Sequence, residues 1–307
     1  MRGGAHNDAA GVPLVSVVVA THRRPRFLAD CLGSIDGQSW TRRELVVVLD
    51  PADGESEAIA AAFGARVIRT HRALGSFAAC NIGIANSNGG LVMLVDDDAT
   101  FESGETLERL VRYLLGQKDV MIAVANIRGP VEAPPQERTR PVFLFKAGFA
   151  LYRREVFERV AGFFPDLLTR AGGETLLANR VYAAGGVVAV VHDAWLHHAQ
   201  TAVGRHSYAM NFHAVRSHAL LAPLQEPWPV VPLSLASKLV TTLLRIAIQR
   251  RDPLAWLGGW LSFLGWLPWA LRNRDAIPLR TYLFTRRLRR DAGQVGQVVI
   301  RQSAEAA

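Results

Sequence analysis

Three short runs of apolar, largely β-branched residues recur along the first hundred positions: Val15–Ala20 (VSVVVA), Glu44–Leu49 (ELVVVL) and Leu91–Val95 (LVMLV). A strand with one wet face alternates polar and apolar residues, so unbroken runs of this kind predict strands covered on both faces. Helix-like segments fill the gaps. Pro25 opens one through about Ile35, Ser56–Phe63 and Ala78–Ala85 read as two more, and Arg66–Arg69 reads as a short strand. Strands alternating with helices imply parallel βαβ units with right-handed crossovers. In such sheets ligands bind beyond the C-terminal strand ends, which is where Thr21, Asp50 and Asp96–Asp98 stand.

Half of the 307 residues are apolar and 20% are charged, enough to bury a core and to exclude disorder as the dominant state. Cys31 and Cys80 form no paired motif, so a reducing compartment without structural zinc is expected. The first residues, MRGGAHNDAAGVPL, lack the apolar core of a secretory signal, which predicts a cytoplasmic protein. The formal charge of +8 is concentrated: ten arginines between Arg245 and Arg290 face only Asp252 and Asp275, and the remainder is neutral overall. Within this basic region Pro253–Leu271 is 19 residues without a charge and carries Trp256, Trp260, Trp266 and Trp269. The stretch has the length of a span but includes Gly258, Gly259, Gly265 and Pro268, and its four spread tryptophans fit an interfacial helix better, with a soluble helical pair as the other reading. The expected partner is an anionic membrane surface, with the protein peripheral on the inner face of the cell membrane. The tryptophans argue for lipid over nucleic acid.

Asp96-Asp97-Asp98 is the strongest local chemical signal. Three adjacent carboxylates repel one another unless a cation or a hydrogen-bond cage compensates. Mg²⁺ or Mn²⁺ suits them, since both take oxygen ligands and share their shell with phosphates. A solvated acidic turn is the plainer alternative, but the preceding strand aims the triplet into the ligand crevice. Asp50 sits at the matching place on a neighbouring strand, where a carboxylate can accept from a base N–H or ribose hydroxyls. His192, His197, His198, His206, His213 and His218 make no zinc motif.

Taken in order, VSVVVATHRRPRFLADCLGSI, ELVVVLDPADGES and GSFAACNIGIANSNGGLVMLVDDDA resemble the family 2 glycosyltransferases of GT-A fold, and the likeness extends over about residues 14–200. It implies an α/β fold, a Rossmann-like and mainly parallel sheet flanked by helices, here with a C-terminal apolar and basic helical appendage. It also implies sugar transfer from a nucleotide-diphosphate sugar to a hydroxyl acceptor. By that resemblance Thr21, Asp50, Asp96 and Asp97 border the nucleotide-sugar, and Asp98 ligates the metal. One of His197 and His198 completes the shell, with His198 the better aligned. Gly172-Gly173-Glu174, followed six residues later by Arg180, resembles the family's Gly-Glu-Asp segment and makes Glu174 the general base of a single inverting displacement. A general base contributes about 10²–10⁴ in rate. Glu174 could instead merely complement the helix dipole.

Three positions depart from the family pattern: Leu49 and Gly173 replace acidic residues, and Cys80 replaces an Arg for which Arg72 or Arg23 could substitute. They prompt one rival reading, a non-catalytic membrane adaptor with a decayed site; the other rival, a sugar-nucleotide nucleotidyltransferase, would want a Gly-rich phosphate loop where this chain has Ala20-Thr21-His22-Arg23-Arg24-Pro25. A dinucleotide-binding dehydrogenase is excluded for want of G-x-G-x-x-G. The expected organisation is a flexible 1–13, a glycosyltransferase domain over 14–222 (donor half 14–100, acceptor half 101–222), a helical membrane-associating appendage over 223–292 and a flexible 293–307.

Overall fold

The computed structural model describes residues 11–49, 51, 53–72, 74–130, 136–160, 162, 164, 168, 172–200, 207–249 and 252–290. Its elements are β1 (Val15–Thr21), α1 (Pro25–Asp36), β2 (Arg43–Leu49), α2 (Gly54–Ala62), β3 (Arg66–Arg69), α3 (Ser76–Ala85), β4 (Leu91–Asp96) and β5 (Ala99–Phe101). There follow α4 (Thr106–Gly116), β6 (Val120–Arg128), β7 (Arg140–Pro141), β8 (Phe149–Arg153), α5 (Gly173–Ala183) and β9 (Val187–His198). The last helices are α6 (Ser207–Gln225), α7 (Val231–Gln249), α8 (Pro253–Arg272) and α9 over 279–290.

One sheet runs β3-β2-β1-β4-β8-β6-β9-β5, with β7 pairing β9. Its first four strands are parallel, as the apolar runs predict. Successive β1 side chains enter different cores. Val15, Val17 and Val19 share one core with Leu28 and Leu32 of α1 and Leu107 and Leu110 of α4, whereas Val18 shares the other with Phe77 and Ile84 of α3 and Leu177 and Val181 of α5. Burying each such side chain contributes about 1.5–3 kcal/mol, which fixes register and layer order together.

Beyond β4 the sheet becomes mixed. β8 enters antiparallel between β4 and β6, and β6 and β9 are parallel to each other. The apolar run Val187–Val191 is only the start of β9. The strand continues through the histidine segment after a register shift opposite Ala125 and Asn126. Its alternation is legible in burial: Ala194, Leu196 and His198 are buried, and Asp193 and His197 exposed.

The 222/223 division falls inside α6, which accommodates Pro223 in its last turn. A small core of Ala219, Leu220 and Leu224 from α6 with Phe263 and Ala270 from α8 holds the C-terminal helices. α9 is tied to α5 by Thr285 donating to Asn179 Oδ1 at 3.5 Å and by the Tyr182–Phe284 ring contact; Asp275, just ahead of α9, pairs with Arg180 at 3.0 Å.

Candidate active site

Asp96 closes β4, and Asp97 and Asp98 turn the chain into β5. Adjacent residues at a strand end point apart, so the triplet divides. Asp97 is held by the β1 end: Thr21 Oγ1 donates to its Oδ2 at 2.7 Å and Arg24 Nη1 to its Oδ1 at 2.8 Å. Asp98, its side chain 1% exposed, faces the imidazole of β9, with His198 Nε2 3.3 Å from Oδ1. One ligand atom each from Asp96, Asp98 and His198 lies within 4.8 Å of the other two. Two carboxylates and an imidazole form a donor set that fits Mg²⁺ or Mn²⁺, the imidazole leaning it toward the transition metal.

Strand alternation separates the two histidines. His198 pairs with Ala99 and turns inward to Asp98; His197 pairs with Thr100 and turns to solvent. Lys146 Nζ lies 3.3 Å from His198 Nδ1, and Phe149 packs its ring on the same imidazole. Burial raises Asp96 to about 6, the Asp98 charge adds to this, and His198 opposes it. Burial raises Asp97 as well, while Arg24 and the Thr21 hydroxyl pull it down. Gly148 closes this corner. Its carbonyl accepts from Asp96 N–H at 3.2 Å, and a Cβ there would stand 2.1 Å from Asp96 Oδ1.

Glu174 is the second residue of α5, whose start is set by Gly172 at φ +86°. Burial pushes its carboxyl up to about 7, against backbone N–H bonds from Glu174 itself and Ala147. The charge of Asp96 raises it further and that of Lys146 lowers it, so Glu174 and the aspartate end of β4 share one electrostatic site. A cleft of about 250 Å³ opens beside it, lined by Phe143, Leu144, Phe145, Gly172, Thr175 and His218.

The departures at Gly173 and Cys80 have physical reasons. A Cβ at Gly173 would lie 2.7 Å from Phe77 and 2.8 Å from Phe164, whose rings stack at 4.5 Å. An acidic side chain does not fit there. Asn81 of α3 clamps the backbone of Phe164 from both sides, which fixes this stack behind Glu174. The Cys80 thiol is pushed up to about 12 by burial and by the Asp96 and Glu174 charges, so it is neutral. Arg24 pairs with Asp97 and lies 3.7 Å from Asp98, and the Lys146 charge lowers both Asp96 and Glu174, while the backbone N–H of Arg23 binds Asp53. Arg24 stood in the sequence among three adjacent basic residues, and Lys146 in a segment with no motif. Leu49 is core, paired with Thr21. Asp50 lies outside the described residues.

A mixed α/β sheet carrying its aspartates at the end of β4, with the acidic N-terminus of α5 coupled to them by charge, has the arrangement of a GT-A glycosyltransferase. Residues 16–165 match the family model described as Glycosyl transferase family 2, so the chain carries a family 2 domain and is a glycosyltransferase. The fold is similar to that of S. aureus TarS 1–349 (TM-score 0.60, 17% identity, 95% of this chain and 92% of that one covered). The same protein solved with UDP-GlcNAc gives a TM-score of 0.61 at 17% identity, covering 94% and 92% of the two chains. The mannosyltransferase PcManGT from Pyrobaculum calidifontis, solved with GDP-Man and Mn²⁺, gives 0.57 at 17% identity over 93% and 86%. Comparison with curated protein sequences gives no match.

Proposed function

We propose that this glycosyltransferase is metal-dependent and inverting, moving a sugar from a nucleotide-diphosphate sugar to an acceptor hydroxyl with Glu174 as general base. The observation that carries the reading is the grouping of Asp96, Asp98 and His198 at the end of β4, with the half-buried Glu174 carboxyl, pushed up to about 7, lining a cleft and coupled by charge to Asp96. Neighbours of the same fold that bind UDP-GlcNAc, and GDP-Man with Mn²⁺, support the donor class and the cation.

In this reading the acceptor hydroxyl enters the cleft beside Glu174. The Glu174 carboxylate takes the hydroxyl proton as the oxygen attacks the anomeric carbon, and the bond from that carbon to the diphosphate breaks with its electron pair leaving on phosphate. A pKa near the working pH balances ionised fraction against basicity. Asp96, Asp98 and His198 would hold a divalent cation, which when bound neutralises charge on the diphosphate. Lys146, whose Nζ lies 3.3 Å from His198 Nδ1, would offer its ammonium to the leaving diphosphate. Thr21 and Arg24 keep Asp97 turned away from the cation site, at the crevice wall where a nucleoside lies.

The test is turnover with UDP- and GDP-sugars, with the anomeric configuration of the product read by NMR. Glu174→Gln keeps the size of the side chain but takes no proton, so kcat falls about 10²-fold or more while donor affinity is kept. A Gln variant with full turnover, or a product of retained configuration, overturns the assignment.

A further inference from the structure

We propose that the outward faces of α7 and α8 form a docking surface for an anionic lipid bilayer, with α8 lying in the plane of the membrane interface. By length and composition α8 could cross a membrane, at a mean hydropathy of 1.2, yet its burial is one-sided. Ala255, Gly259, Phe263 and Ala270 are buried, and Phe263 and Ala270 pack on the α6 residues Ala219, Leu220 and Leu224. The opposite side presents Leu254, Leu257, Leu261, Leu264 and Leu271, between 42% and 68% exposed. A span would have to strip α8 from α6, which an in-plane helix does not require.

α7 widens the apolar face. Leu233, Val240 and Leu244 are 70%, 54% and 52% exposed. Trp256 and Trp260 of α8 both donate to Thr242 Oγ1 of α7, at 2.9 and 3.3 Å, fastening the two helices together. Two helices side by side make a surface broader than the single seam of a coiled coil. Exposed leucines in such number leave a large apolar patch to be covered.

Charge decides the occupant. Arg250 and Arg251 precede α8 in the sequence, Arg272 ends it, and Arg280, Arg286, Arg287, Arg289 and Arg290 stand exposed on α9. Between residues 227 and 290 the acids are Asp252 and Asp275 alone. A second copy on this face would bring one arginine cluster against another. A bilayer with anionic headgroups supplies an apolar layer for the leucines and the opposite charge for the arginines. Trp266, 43% exposed on α8, takes the headgroup level that tryptophan favours. α6 lies between this face and the cleft, since it packs on α8 and carries the His218 that lines the cleft beside Glu174. The cleft is thus separated from the lipid by α6 and α8.

The full-length chain is sedimented with vesicles of phosphatidylcholine alone and of phosphatidylcholine mixed with phosphatidylglycerol, while Trp fluorescence is followed. Binding to the mixed vesicles with a blue shift is expected, with release toward 1 M salt, where the Debye length is about 3 Å. Leu257→Glu with Leu261→Glu, or Arg286→Glu with Arg287→Glu, lowers that binding by about tenfold or more. All four are exposed, so circular dichroism and the affinity for UDP or GDP with Mn²⁺ stay unchanged. Equal binding to both vesicle types, binding to neither, or a dimer in velocity sedimentation that Leu257→Glu dissolves would each overturn the proposal.

Discussion

Glu174 sets a requirement for catalysis against a requirement for folding. In the proposed mechanism the ionised carboxylate is the base, yet desolvation pushes the group up to about 7. The acid limb of kcat/KM is therefore expected near pH 7, far above a free carboxyl. The stability effect has a definite sign. Between the ordinary carboxyl range and pH 7 the folded state binds the extra proton, so this group lowers stability as pH rises through that window. Glu174→Gln removes the penalty and should unfold at a higher temperature than wild type at pH 8, with the difference vanishing at pH 4. Equal melting at both values would mean that the carboxyl is not pushed up as described. At the cation site His198→Ala should abolish Mn²⁺ binding measured by calorimetry, and His197→Ala should leave it intact. The sequence favoured His198 only by alignment, since two adjacent histidines carry no sign of which faces inward. A strand's alternation supplies that sign, and the strand itself was hidden because its inward positions include a polar residue.

Among elements, the parallel units were readable almost to the residue. Continuous β-branched runs and Pro25 are local signals, and β1, α1, β2 and β3 follow them closely. Arg24 and Lys146 were not legible. Their importance depends on which loop end meets the aspartates, a property of tertiary packing. The Gly148 corner is equally non-local, because only the approach of the segment before β8 to the end of β4 makes a hydrogen atom obligatory there. Gly148→Ala should cost about 1–3 kcal/mol in denaturant unfolding and should weaken Mn²⁺ binding through the displaced Asp96 carboxylate. If Mn²⁺ binding survives while stability falls, Asp96 is not among the ligands. Gly173, read from the sequence as a loss, is instead the position that lets the Phe77–Phe164 stack close behind Glu174. Gly173→Glu should destabilise the fold, as measured by its melting temperature, and not improve turnover.

For the molecule as a whole, the apolar runs foretold a sheet with a ligand crevice at its C-terminal edge. They did not foretell that β8 enters antiparallel between β4 and β6, for such pairing leaves no periodicity of its own. That insertion carries Lys146 and Gly148 to the aspartates, and β9 brings His198 from the far side of the sheet. The first parallel strands and the later mixed part of the sheet thereby meet at one cluster, with the C-terminal helices braced on α5 and α6 behind it. The central claim is that this cluster holds a nucleoside diphosphate through a divalent cation. Calorimetric titration of the wild-type chain with UDP and with GDP, in Mn²⁺ and then in EDTA, and of Asp98→Ala in Mn²⁺, tests it directly. The account predicts binding of one of the two nucleotides in Mn²⁺, lost in EDTA and lost in Asp98→Ala with the fold intact. Nucleotide affinity that is the same in Mn²⁺, in EDTA and in the variant would contradict it.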